Sequence, residues 1–200
     1  MDRLIAFGCS DTFGDGLEHP SQGWPAILAK EFNLNLINKA IPGSSVKRTT
    51  FTIQEFDFLR NDQVVILWPF YTRMWFYNKI GSRGTTHMNR DIDYDSTFYR
   101  EYFNDEDQLF SNYCFITTAL KKINTYCIKQ PWMLLHDPEC MEGYTKYGLK
   151  FINILYSDYY YLFPSTACGH VNHQGQRAFA LDLIHYLKTG KYVKGAKEFL

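Results

Sequence analysis

Five consecutive apolar residues, Val64-Val65-Ile66-Leu67-Trp68, constrain the fold of this chain more than any other stretch. The run is β-branched at its first three positions and lacks polar alternation, so it predicts a strand buried on both faces. Such a strand needs helices above and below it. A second apolar run, Leu4-Ile5-Ala6-Phe7, predicts another central strand, and residues 34–37 and 132–135 predict two more. Helical spacing alternates with these runs. Trp24, Ile27, Leu28 and Phe32 share a face, with Pro25 near the first turn. Ser44 or Ser45 can cap a helix whose stripe is Val46, Thr50, Ile53, Phe56 and Leu59. Leu109, Tyr113, Ile116, Leu120, Ile123 and Cys127 keep a four-three spacing. A last helix over 172–189 is capped by Asn172 and stopped by Gly190, with Ala178, Leu181, Ile184 and Leu187 as its buried stripe and Phe179 and Leu183 flanking. Strand and helix in alternation predict a doubly wound α/β architecture. A fifth strand is expected at 151–154 or 159–162. Residues 69–106 break the rhythm with aromatics, then glycines, then acidic residues; they read as an insertion or lid with little regular structure. Residues 191–200 read as a surface tail.

Two hundred residues suit one domain spanning 1–200. Lys+Arg and Asp+Glu both total 21, so no basic field argues for nucleic acid as a partner. No apolar run approaches the roughly 18 residues that span a bilayer, so no membrane partner is expected. The five cysteines are scattered and form no CxxC pair, which predicts a reduced setting. Polar Cys9-Ser10-Asp11 interrupts the N-terminal apolar run early, so no signal segment is read and a cytoplasmic location is expected. The spacing says nothing of oligomeric state.

Chemistry concentrates in Phe7-Gly8-Cys9-Ser10-Asp11-Thr12-Phe13-Gly14-Asp15-Gly16. A small nucleophile at the carboxyl end of a first strand sits where open α/β sheets place their ligands. Ser10 or Cys9 could serve, and a plain polar turn is the alternative. A serine needs a base within reach. Of six histidines, His170 is best placed, in a loop just before the last helix. Gly43, in a turn leading into a helix, can offer a backbone N–H to an oxyanion, as can Ser10. His170 and His173 are three apart, but no further ligand cluster supports a metal there, and no metal or cofactor is expected.

These residues resemble three blocks of the SGNH (GDSL-type) hydrolases. Gly8-Cys9-Ser10 with Gly14 is similar to the first block, residues 38–43 to the second, and His170-Val171-Asn172-His173-Gln174-Gly175 to the last. With Trp24-Pro25 downstream, the opening looks most like short virus-encoded SGNH-like proteins. The resemblance covers nearly the whole chain. It implies a three-layer α/β/α flavodoxin-like fold with a parallel sheet of about five strands. It implies hydrolysis of a small ester, such as an O-acetyl group on a glycan, without cofactor or metal. Ser10 then carries the nucleophile, His170 the base, and Gly43 with the Ser10 N–H the oxyanion hole.

Two departures stand against the pattern. After the third strand the family supplies an Asn, whereas this chain has Trp68-Pro69-Phe70-Tyr71-Thr72-Arg73. Thr72 or Arg73 could replace that donor or position the substrate. The Asp expected two or three residues before the histidine is replaced by Ala167 and Cys168. These departures motivate an alternative: a catalytically weakened SGNH fold that binds a glycan or a virion. A phosphate cradle over residues 8–16 is a weaker reading, since it lacks the lysine of a P-loop.

Overall fold

The computed structural model describes residues 2–77, 83–86, 104–136 and 138–192, with backbone alone at 75–77, 83–86 and 139–140. In chain order the elements are β1 (Arg3–Phe7), α1 (Ser10–Phe13), a 3-10 turn (Pro20–Gln22), α2 (Trp24–Glu31), β2 (Asn35–Asn38), α3 (Val46–Glu55), β3 (Gln63–Trp68), β4 (Met74–Tyr77), β5 (Arg83–Thr86), α4 (Asp105–Tyr126), β6 (Trp132–Leu135), α5 (Pro138–Thr145), α6 (Ser157–Leu162) and α7 (His173–Thr189). Four strands pair in parallel in the order β2-β1-β3-β6. The chain therefore reverses its direction of travel across the sheet between β1 and β3. That reversal is the switch point at which open α/β sheets bind ligands.

Alternation along the central strands splits the core in two. Leu4, Ala6, Val65, Leu67 and Leu134 face one way, into residues of α2, α6 and α7. Ile5, Phe7, Val64, Ile66, Trp68, Met133 and Leu135 face the other, against α3, α4 and α5. Every residue of β3 is buried, as its unbroken apolar run predicts. The architecture is the expected α/β fold with a parallel sheet.

Several expectations shift. The fifth strand is reduced to a single parallel bridge between Leu135 and Leu155. Ile152 N donates to Met133 O at 2.8 Å and Tyr156 N to Leu135 O at 3.2 Å, so the chain runs beside β6 without building a ladder. Residues 159–162 lie in α6 instead: Tyr159 and Phe163, four apart, are buried, while Tyr161 is 90% exposed, which is a helical period. α3 ends at Glu55, and Leu59 is exposed rather than part of its stripe. Asp62 explains the stop, because its carboxylate takes the Leu59 N–H at 2.7 Å and folds the segment into a turn before β3.

The buried face of α7 is centred on Gln176, Phe179, Ala180 and Leu183, whereas Ala178, Leu181 and Leu187 are only partly covered. A polar residue at the centre of the face moved the expected stripe off it. Phe179 meets Trp24, Tyr156 and Tyr159 edge-on at 5.4, 4.8 and 5.3 Å. Emptying that position to alanine would cost about 3–5 kcal/mol. Within the expected lid, β4 and β5 pair antiparallel, Met74 opposite Thr86. The rest of that stretch, 78–82 and 87–103, lies outside the described residues, as does 193–200 of the expected tail. No described helix is long and apolar enough to cross a membrane.

Candidate active site

Two loops leave the carboxyl edge of the sheet beside one another, and the hairpin ahead of α7 packs on the first. β1 turns into α1 at Gly8, where a Cβ would lie 2.2 Å from Thr12 Oγ1 and 2.9 Å from the Leu67 carbonyl. Only glycine lets the chain bend this tightly over β3. Cys9 is extended and Ser10 opens α1. The second loop is tied to the first: Ile41 N donates to Gly8 O at 3.1 Å, and Asn38 Nδ2 to Thr12 O at 2.8 Å. It carries Gly43 in a turn closed by Ser44 N and Ile41 O at 3.0 Å, and Ser45 then caps α3 by accepting from Arg48 N. Neither the Ser10 N–H nor the Gly43 N–H has a hydrogen-bond partner among the described residues.

His170 sits on a tight hairpin ahead of α7, in which Ser165 bridges Val171 and Thr166 N donates to His170 O at 2.7 Å. This hairpin rests on the loop that follows Ser10. A Cβ on Gly16 would lie 2.5 Å from both Cys168 Sγ and Thr166 Oγ1, so glycine is required for that contact. The His170 ring is half-buried, and its Nδ1 lies 3.2 Å from Cys168 Sγ. Cys168, one of the two residues in place of the expected orienting Asp, thus contacts the ring. Hydrogen bonding from Thr166 and then from His170 lowers the Cys168 thiol below its ordinary pKa of 9.0. Among the described residues no hydrogen bond joins Ser10 to His170. Ser10 is 5% exposed, and its neighbours Cys9, Asp11 and Thr12 are buried too; the exposed end of α1 is Phe13.

Sequence reasoning missed the group beneath Ser10. His136 follows the last residue of β6 and is fully buried. Its Nε2 lies 3.0 Å from Asp11 Oδ2 and 3.6 Å from Cys9 Sγ, and its Nδ1 lies 2.7 Å from the Trp68 carbonyl. The carbonyl can only accept, so Nδ1 carries a proton and Nε2 faces the two acids. The other Asp11 oxygen accepts from Tyr160 OH at 2.5 Å. Burial alone would push the imidazolium down, but Cys9 and Asp11 beside it reverse this and raise His136 to about 10. Burial likewise opposes the charge on Asp11, and the His136 and Tyr160 hydrogen bonds overcome it and hold the carboxyl below its usual value. His170 adds a smaller pull on Asp11, which places both histidines in one electrostatic neighbourhood. Cys9 is buried, with His136 as a partner. One signal was available: a histidine directly after an apolar strand, at the same sheet edge as Ser10.

Arg73 stacks over the Phe70 ring at 4.9 Å and reaches the Ser44 carbonyl at 3.5 Å, while Phe70 lies 4.6 Å from the His136 ring. Thr72 lies in the turn between them, half-buried. Arg73 therefore borders the turn that holds Gly43. A cleft of about 320 Å³ opens next to α1, lined by Phe13, Gly14, Asp15, Gly16, Leu17, Pro20 and Asn38. Neither Ser10 nor His170 lines it. His173, the first residue of α7, is exposed. Cys9, Asp11 and His136 form the one set of three metal-capable side chains among the described residues.

No protein-family model matches the chain, and no curated protein matches it significantly. Solved structures do. A lipolytic protein of the G-D-S-L family from Veillonella parvula superposes with a TM-score of 0.56 at 14% identity, covering 94% of this chain and 100% of that one. The psychrotrophic esterase EstA from Pseudoalteromonas sp., solved with monoethylphosphonate as inhibitor, gives 0.57 at 12% identity, covering 94% and 97%. An acetyl xylan esterase from the rumen bacterium Butyrivibrio proteoclasticus gives 0.58 at 16% identity, covering 94% of this chain and 64% of that one. The chain has the fold of the GDSL-type esterases over nearly its whole length.

Proposed function

We propose that this chain is an SGNH-type serine hydrolase that cleaves a small carboxylic ester, with O-acetyl groups of a glycan as the substrate class. One observation carries the reading. The His170 hairpin is packed, through Cys168 and Thr166 against Gly16, onto the loop that begins with Ser10 at the switch point of a GDSL-type fold. The acetyl xylan esterase among the structural neighbours supports the substrate class. The narrower likeness to virus-encoded proteins rests on Gly8-Cys9-Ser10 and Trp24-Pro25 alone.

In this mechanism Ser10 Oγ attacks the ester carbonyl while His170 Nε2 takes the hydroxyl proton. Nδ1 stays turned to Cys168, which fixes the ring in place of a carboxylate. The unpaired N–H groups of Ser10 and Gly43 receive the developing oxyanion. His170 returns the proton to the leaving alcohol, and water then hydrolyses the acyl group from Ser10. Arg73 and Thr72 position the substrate from the turn after β3.

Replacing Ser10 by Ala should lower hydrolysis of an acetyl ester such as p-nitrophenyl acetate by on the order of 10³-fold or more. A fluorophosphonate probe should label the parent protein at Ser10 and leave the variant unlabelled. Equal turnover in both would overturn the proposal. The pairing of His170 with a thiol rather than a carboxylate favours one alternative, a glycan-binding protein on the same fold. Intact folding, no labelling and retained binding of an acetylated xylan would establish it.

A further inference from the structure

We propose that Cys9, Asp11 and His136 form a binding site for one divalent transition-metal ion of the zinc class. The donor set is a thiolate, an imidazole and a carboxylate, a combination that suits zinc or cobalt rather than the oxygen-seeking magnesium or calcium. Its geometry fits. A tetrahedral ion about 2.3 Å from sulfur and about 2.0–2.1 Å from nitrogen and oxygen sets its ligand atoms roughly 3.3–3.6 Å apart. Here the three edges are 3.6 Å from Cys9 Sγ to His136 Nε2, 3.0 Å from His136 Nε2 to Asp11 Oδ2, and 3.8 Å from Cys9 Sγ to Asp11 Oδ2.

The surroundings are built in the same sense. Metal-binding histidines donate their second ring N–H to a carbonyl or carboxylate, which fixes the tautomer. His136 Nδ1 does so to Trp68 O at 2.7 Å. Tyr160 holds the outer Asp11 oxygen at 2.5 Å and leaves Oδ2 free for a single bond to the ion. Phe70 at 4.6 Å and Tyr156 at 5.5 Å from the His136 ring supply an apolar shell. All three ligands are at most 1% exposed, so bulk water does not compete for them.

The charges also balance. With the ion bound, a dication, a thiolate, a carboxylate and a neutral imidazole sum to zero, and the protons these groups held pass to solvent. The fourth corner falls to a water. Since Cys9 and Asp11 flank Ser10, the ion would anchor the turn that presents it, whether or not Ser10 is a nucleophile.

The test uses the full chain, dialysed against a chelator and titrated with cobalt(II). One equivalent should bind with strong visible d–d absorption of a tetrahedral ion and a thiolate-to-cobalt charge-transfer band. Cys9→Ser should remove the charge-transfer band, and His136→Gln should abolish stoichiometric binding. Tyr160→Phe should weaken binding about 10- to 100-fold. Cys168→Ser should keep the band, because exposed Cys168, paired with His170, is the competing source of a thiolate. Zinc-edge X-ray absorption of the unmodified, zinc-loaded protein should report one sulfur neighbour, a reading that needs no folded variant. Absence of stoichiometric binding, a first shell without sulfur, or a charge-transfer band that survives Cys9→Ser would each overturn the proposal.

Discussion

At the amino edge of the parallel sheet, Arg3 grips Asp62 with two bonds of 2.7 and 2.6 Å, and Cys127 turns its thiol to the Leu59 carbonyl at 3.7 Å. At the carboxyl edge, His136 stands between Asp11 and Cys9 at 3.0 and 3.6 Å. Each edge thus gathers a cysteine, an aspartate and a cation. The cysteines respond in opposite directions. Burial, reinforced by Asp62, pushes the Cys127 thiol up to about 11. Burial would do the same to Cys9, but His136 more than cancels it and lowers that thiol. The difference lies in where the cation points. Arg3 spends its planar fork on Asp62, whereas the single Nε2 of His136 faces both acids. An edge whose charges are already matched in pairs is structural; an edge with one cation shared between two acids is poised for chemistry or for an ion.

The largest effect should come from removing the shared cation. His136→Leu leaves Asp11 buried with Tyr160 and the Cys9 thiol as its side-chain partners and no cation beside it, and breaking a buried pair in this way costs about 3–5 kcal/mol. Urea unfolding of metal-stripped protein measures it; a loss below 1 kcal/mol would mean the two edges do not differ as described. Next is the pH response of the amino edge. Cys127 has a folded pKa of about 11 against an ordinary 9.0. Its native thiol is therefore fully compatible with folding below pH 9, and the contribution is lost as pH rises towards 11. That loss should reach about 2–3 kcal/mol, and Cys127→Ala should flatten it.

Smaller again is Arg3→Leu, because Arg3 is 21% exposed while Asp62 keeps the Leu59 N–H. A cost of about 1–2 kcal/mol is expected, and a cost equal to that of His136→Leu would erase the contrast. The smallest effect is kinetic. Iodoacetamide should modify exposed Cys168 with a pH midpoint below 9.0, and Cys127 far more slowly with a midpoint above it. A Cys168 midpoint above that of Cys127 would reverse the ordering.

The fold was legible because its signals are local. An unbroken apolar run such as residues 64–68 has no half-buried solution, and Ser45, Asn172 and Gly190 act within one turn of the helices they bound. Ser10, Gly43 and His170 could be singled out since each lies in a loop with its own small-residue or polar signature. The cluster under Ser10 has no local signature. His136 and Asp11 are 125 residues apart, and Tyr160 and Asp11 are 149 apart. A lone histidine after a strand looks like the start of a turn until the sheet order places it beside β1. The same reason hid Gln176: a buried amide reads as a surface residue until its three partners are in place, and the stripe of α7 was drawn around it.

Those partners join distant parts of the chain. Gln176 accepts from Trp24 N at 3.1 Å and donates to Asp11 O at 3.3 Å and Tyr156 OH at 2.8 Å. During synthesis, residues 9–11 leave the ribosome long before residue 176 does. The turn at Ser10 can form early, but its backbone oxygen at Asp11 and the start of α2 acquire their fixing amide only once the last helix has emerged. The nascent chain therefore carries its candidate nucleophile in an unfinished setting until residue 176 has emerged, and a chain cut short before that point cannot complete it.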